Sequence, residues 1–105
     1  MTDGVKDKYR KAIIDILSAN ERVERVVLFG SRAMGTFSPT SDVDIALSRD
    51  ELTLSDHAKL ARSIDELSIP QQVDILLRKS IKSEKLLKHI QQHGVERYRN
   101  RWALG

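Results

Sequence analysis

Near the start of the chain, Val5, Tyr9, Ala12, Ile13, Ile16 and Leu17 recur at helical spacing between lysines and arginines, as far as Asn20. A helix that buries one face has such a stripe, so a first amphipathic helix is predicted here. The pattern changes at Val26-Val27-Leu28-Phe29, a continuous apolar run halted by Gly30, as expected of a buried strand. Asp42-Val43-Asp44-Ile45-Ala46-Leu47 opens with strict alternation, which predicts a half-buried strand. Thr53, with Asp56 three residues on, resembles a capping box with a shorter acid than the usual Glu. Leu54, Ala58, Ala61, Ile64 and Leu67 are expected to line one face of the helix it opens, until Pro70 forbids continuation. Gln72 to Leu77 reads as a third strand and Ser83 to His93 as a last helix with Gly94 as its stop. No element is predicted after it. The order is α, β, short turn or helix, β, α, β, α, which implies one sheet with helices packed against it.

The 105 residues, 40% hydrophobic and 31% charged, suit a single domain over residues 1–105 with no linker or repeat. No window approaches the ~20 uncharged apolar residues of a membrane span. The charged first ten residues do not suit a secretory signal, so a cytoplasmic location without membrane contact is expected. The absence of cysteine excludes disulfide staples and thiolate metal sites. Charge is unevenly placed. Residues 1–77 hold 10 Lys/Arg against 13 Asp/Glu, whereas residues 78–105 hold 8 against 2. A basic segment of this kind is either a solvated helix face or a surface for an acidic partner. One Trp and two Tyr form no base-stacking platform, so nucleic acid is not the expected partner.

Alternation along a strand sends Asp42 and Asp44 to one face and Val43, Ile45 and Leu47 to the other. Asp74, flanked by Val73 and Ile75, has the same setting. If the two strands are neighbours, three carboxylates converge, and like charges in a partly desolvated place raise one another's pKa unless a counter-charge is present. Neither strand carries Lys or Arg. A divalent cation would serve, and all-carboxylate ligation points to Mg²⁺ or Mn²⁺. Upstream, the buried strand ends in Gly30-Ser31-Arg32-Ala33-Met34-Gly35, a glycine turn opening a short helix, where exposed backbone N–H groups favour a phosphate. This is not a P-loop, because Thr36-Phe37 stands where Lys-Ser/Thr is required. A phosphate-holding turn beside a carboxylate-held metal pair is the equipment of phosphoryl or nucleotidyl transfer. Arg32 is placed either to neutralise phosphate or to solvate the turn, and Ser41 to cap the turn before the strand rather than to touch phosphate. His89 and His93 stand i, i+4 without a third ligand at hand and are expected to be exposed side chains. Arg78, Lys79 and Lys82 are either nucleotide-facing or ordinary surface charge.

Gly30-Ser31, ten residues, then Asp42-Val43-Asp44, with Asp74 on a later strand, resembles the nucleotidyltransferase superfamily of DNA polymerase β. Within it, the chain looks most like the minimal nucleotidyltransferases (MNT) encoded beside helical HEPN proteins. The resemblance implies an α+β fold with a mixed sheet, Mg²⁺ dependence, and transfer of AMP from ATP with release of pyrophosphate. It assigns Asp42, Asp44 and Asp74 as metal ligands and catalytic residues and Gly30 and Ser31 to the triphosphate, with Arg32 a further candidate nucleotide contact from its place in the turn. It also implies a partner: a HEPN toxin, held in a hetero-oligomer, whose tyrosine hydroxyl would take the nucleotide and be silenced. The alternative is a subunit that keeps the fold and masks its partner without catalysis.

Overall fold

The structure is a computed structural model that describes residues 4–49 and 51–100. Arg101 and Trp102 of the basic C-terminal segment lie outside the described residues. Helix α1 (Asp7–Ser18) is followed by strand β1 (Arg25–Phe29), the single-turn helix α2 (Ser31–Met34), β2 (Val43–Ser48), α3 (Leu54–Asp65), β3 (Val73–Leu77), α4 (Glu84–His93) and β4 (Val95–Arg99). A short 3-10 turn, Arg78–Ser80, links β3 to α4. The four strands form one mixed sheet in the order β3-β2-β1-β4. Strand β1 is antiparallel to both of its neighbours, while β2 and β3 run parallel, joined by α3. The α+β expectation holds, with one strand more than the sequence pattern indicated.

Alternation along the strands divides the interior in two. Val26, Leu28, Val43, Ile45, Leu47, Ile75 and Leu77 meet Ile13 and Leu17 of α1 and Leu60 and Ile64 of α3 in the larger cluster. On the opposite face, Val27, Phe29 and Ala46 meet Ile90 of α4, flanked by Ile81 and Leu86. Asp44, two residues before Ala46, belongs to this second face. Next to Ala46, in register on β3, Leu76 keeps 37% of its surface in solvent. The strip of β2 and β3 that carries the carboxylates is therefore partly uncovered.

Two expectations change. The buried stripe of α3 is Asp56, Leu60 and Ile64, while Leu54 is 76% exposed and Ala58 is exposed too. Leu54 sits about 120° round the helix from Leu60. Buried Leu52, just before the cap, is the leucine that reaches the core. The capping box itself forms: Thr53 Oγ1 accepts from Asp56 N and the Asp56 carboxylate accepts from Thr53 N. Arg22 then clamps Asp56 with Nη1 at 3.0 and 3.1 Å from its two oxygens. The second change is β4. Val-Glu-Arg-Tyr-Arg has weak alternation on its own and becomes a strand because the β1 edge offers unpaired backbone groups, with a register shift at Val26/Val27. Among the described residues, no helix is long and apolar enough to cross a membrane.

Candidate active site

Register brings the chemistry together. Phe29 pairs with Asp44 across β1 and β2, and Asp44 pairs with Asp74 across β2 and β3, so the three side chains form a row across the sheet. Asp42, exposed, precedes β2 on the same end. Burial, then the charges of Asp74 and Asp42, push the Asp44 carboxyl above its ordinary value of 3.8. Asp74 is held by Gln72, whose Nε2 donates to Asp74 Oδ1 at 3.0 Å. Among the described residues, no three His, Asp or Glu side chains are drawn together closely enough to form a ready metal site. The donor chemistry nonetheless fits a hard divalent cation: two facing carboxylates, a third nearby, and mutual repulsion that a cation would offset.

Gly30, next after Phe29, meets this row directly. Its backbone has φ 77° and ψ −157°, a conformation essentially reserved for glycine. A β-carbon there would also fall on Asp44 Oδ2. One residue thus turns the chain into α2 and leaves room for the carboxylate. Helix α2 closes at once, with Gly35 left-handed at φ 79° and Thr36 N donating to Ser31 O at 3.0 Å. The Ser31 amide and hydroxyl have no hydrogen-bond partner among the described residues.

Arg32 takes a different place from the phosphate contact open to it in the sequence. It is 2% exposed, and its guanidinium donates from Nε and Nη2 to Ser41 O at 3.1 and 2.9 Å, and from Nη2 to the Ser38 and Pro39 carbonyls. Its plane also lies 5.0 Å from the Phe37 ring centroid. With five fixed donors, a guanidinium satisfies several carbonyls at once, so Arg32 shapes the loop that delivers Asp42. Ser41 caps this turn as expected, its Oγ accepting from Ser38 N at 2.9 Å. Arg78 and Lys79 lie exposed in the 3-10 turn after β3.

His89 is a further correction. Instead of standing free on α4 it is half-buried, and its Nε2 accepts the Gly30 N–H at 3.0 Å. The His93 ring lies 5.3 Å away, centroid to centroid. The signal for His89 was its place three residues after Leu86 and one before Ile90, on the flank of the buried face. Gln72 carried no chemical signal in the sequence.

Residues 11–101 match the family model described as polymerase beta, nucleotidyltransferase. A Methanocaldococcus jannaschii protein, named provisionally as a protein adenylyltransferase, is 30% identical over 93 residues, covering 85% of this chain and 91% of that protein. A toxin–antitoxin crystal structure with AMP-PNP is similar, with TM-score 0.70 and 26% identity over 89% of this chain and 75% of that one. The chain shares its fold with a complex of a tri-AMPylated Shewanella oneidensis HEPN toxin and an MNT antitoxin, with TM-score 0.65 and 23% identity over 90% of this chain and 73% of that chain.

Proposed function

Because this chain belongs to the polymerase β nucleotidyltransferase family, we propose that it moves AMP from ATP onto a protein hydroxyl, releasing pyrophosphate, and so acts as the antitoxin of a HEPN-type toxin. One observation carries the reading above the others: Asp44 faces Asp74 across adjacent parallel strands, with the Gly30-Ser31 turn packed on Asp44. The protein adenylyltransferase name of the 30% identical relative supports the reaction class. The AMP-PNP in the 26% identical toxin–antitoxin structure supports a nucleoside triphosphate and a toxin partner.

In this reading residues 1–105 act as one minimal domain in the cytoplasm. Asp42, Asp44 and Asp74 would hold Mg²⁺ or Mn²⁺, which when bound offsets negative charge on the reacting phosphoryl group and eases deprotonation of the attacking hydroxyl. The Ser31 amide and hydroxyl bind the β- and γ-phosphates and fix the α-phosphorus in line with the acceptor. Asp74 accepts the proton of the acceptor hydroxyl. The new bond joins the acceptor oxygen to the α-phosphorus, and the bond to the β-phosphate oxygen breaks, so pyrophosphate leaves. A tyrosine of the partner is the acceptor that fits, because it can enter over the uncovered strip of β2 and β3 beside exposed Leu76.

Incubating the chain with ATP, Mg²⁺ and a HEPN-type protein from its own genome, and then weighing that protein by intact-mass spectrometry, tests this. Added AMP units are expected with the wild type and none with Asp42→Ala. Tight binding of the partner with nucleotide bound and no change in mass would refute transfer and leave the masking role.

A further inference from the structure

Gly30 has no side chain and a wide choice of backbone conformations, so something outside the turn must hold it in place. Its N–H donates to His89 Nε2 at 3.0 Å. A backbone amide offers only its proton, so Nε2 presents a lone pair and the ring proton sits on Nδ1. The ring is itself fixed. It meets Phe29 edge-on, with centroids 6.3 Å apart. The next residue along α4, Ile90, is buried against Val27, Phe29 and Ala46. His89 therefore connects α4, which packs on this face of the sheet, to the turn whose next residue, Ser31, has its amide and hydroxyl unpaired among the described residues.

We infer that His89 is a positioning residue for nucleotide binding: by accepting the Gly30 N–H it pins the turn to α4 and leaves Ser31 to meet the phosphates. The inference rests on the transfer reading above for its ligand, a nucleoside triphosphate. It departs from the sequence expectation, in which Gly30 and Ser31 both served the phosphates, because the Gly30 amide is already engaged. His89 acts on the phosphates through the Gly30-Ser31 turn, so its loss shows first in nucleotide affinity.

The test uses the full chain in three forms, wild type, His89→Leu and His89→Gln, with calorimetric titration of AMP-PNP in the presence of Mg²⁺. Leu keeps a similar bulk without an acceptor, whereas the Gln amide oxygen can take the place of Nε2. His89→Leu should bind about five- to tenfold more weakly, the scale of one neutral hydrogen bond, and His89→Gln within about twofold of wild type. Long-range proton–nitrogen NMR of the wild type should show His89 protonated on Nδ1. An Nε2–H tautomer, equal affinity in His89→Leu and wild type, or an equal loss in His89→Gln and His89→Leu would overturn the assignment. A wild type that binds AMP-PNP but modifies no partner would refute the transfer reading while the affinity comparison still decides the part played by His89.

Discussion

Removing the charge of Asp44 should make the metal-free protein more stable while ending transfer. Strands lie about 4.8 Å apart, and the ends of like-charged side chains in register on one face splay somewhat beyond that spacing, so the Asp44 and Asp74 carboxylates stand on the order of 6 Å apart. At that distance two unit charges repel by about 0.7 kcal/mol in bulk water and about 2.8 kcal/mol at an effective dielectric constant near 20. Asp44 is half-buried and open to solvent screening, which puts the net effect near 1 kcal/mol. For a domain of about 100 residues that corresponds to roughly 4 °C in Tm. The sign follows from linkage. The carboxyl of Asp44 is raised by burial, then by Asp74 and Asp42, so the stability supplied by its protonated form is complete below the ordinary value and is lost as pH rises through the folded value. Asp44→Asn, always neutral, should therefore melt above the wild type at pH 7.5 in EDTA, and its advantage should shrink as pH falls. Thermal melts followed by circular dichroism across this range read the difference directly. In an Asp74→Asn background the gain should be smaller, which isolates the pair. Equal melting at pH 7.5, or an advantage that does not change with pH, would refute the reasoning.

Gly30→Ala should cost about 1–3 kcal/mol for the backbone alone, and more through the collision with Asp44 Oδ2; urea unfolding measures it, and a variant as stable and active as wild type would show that the turn tolerates a side chain. Arg32→Met should lower stability by about 1–3 kcal/mol, because the Ser38, Pro39 and Ser41 carbonyls lose their donor. If instead AMP-PNP affinity falls while stability stays unchanged, Arg32 serves phosphate. Hydrogen bonding to the Thr53 backbone, with the Thr53 hydroxyl and Arg22 contributing, holds the Asp56 carboxyl down to about 2. The stability it supplies is complete above the ordinary value of 3.8 and is lost as pH falls from there toward 2. An acid-unfolding curve of Asp56→Asn should therefore show a weaker dependence on pH in that window than the wild type.

Much of this molecule was legible in the order of its residues. Strands β1, β2 and β3, helices α1, α3 and α4, the capping box at Thr53 and the Gly-Ser and Asp-x-Asp elements all depend on neighbours a few positions apart, and periodicity and local hydrogen-bonding chemistry specify them. The pairing of Asp44 with Asp74 was conditional in the sequence, resting on whether β2 and β3 are neighbours, and sheet order decided it. Four features needed the folded chain. Strand β4 exists because β1 has a free edge. The α3 face turned because Asp56, tied to Arg22, occupies the stripe that Leu54 was expected to share. Arg32 turned inward because the loop of residues 38–41 presents it with several carbonyls at once. His89 reached Gly30 across 59 positions of sequence. In each case the deciding partner is a backbone group or a charge brought close by packing, and backbone groups are the same at every residue, so no pattern of side chains announces which one will stand unpaired.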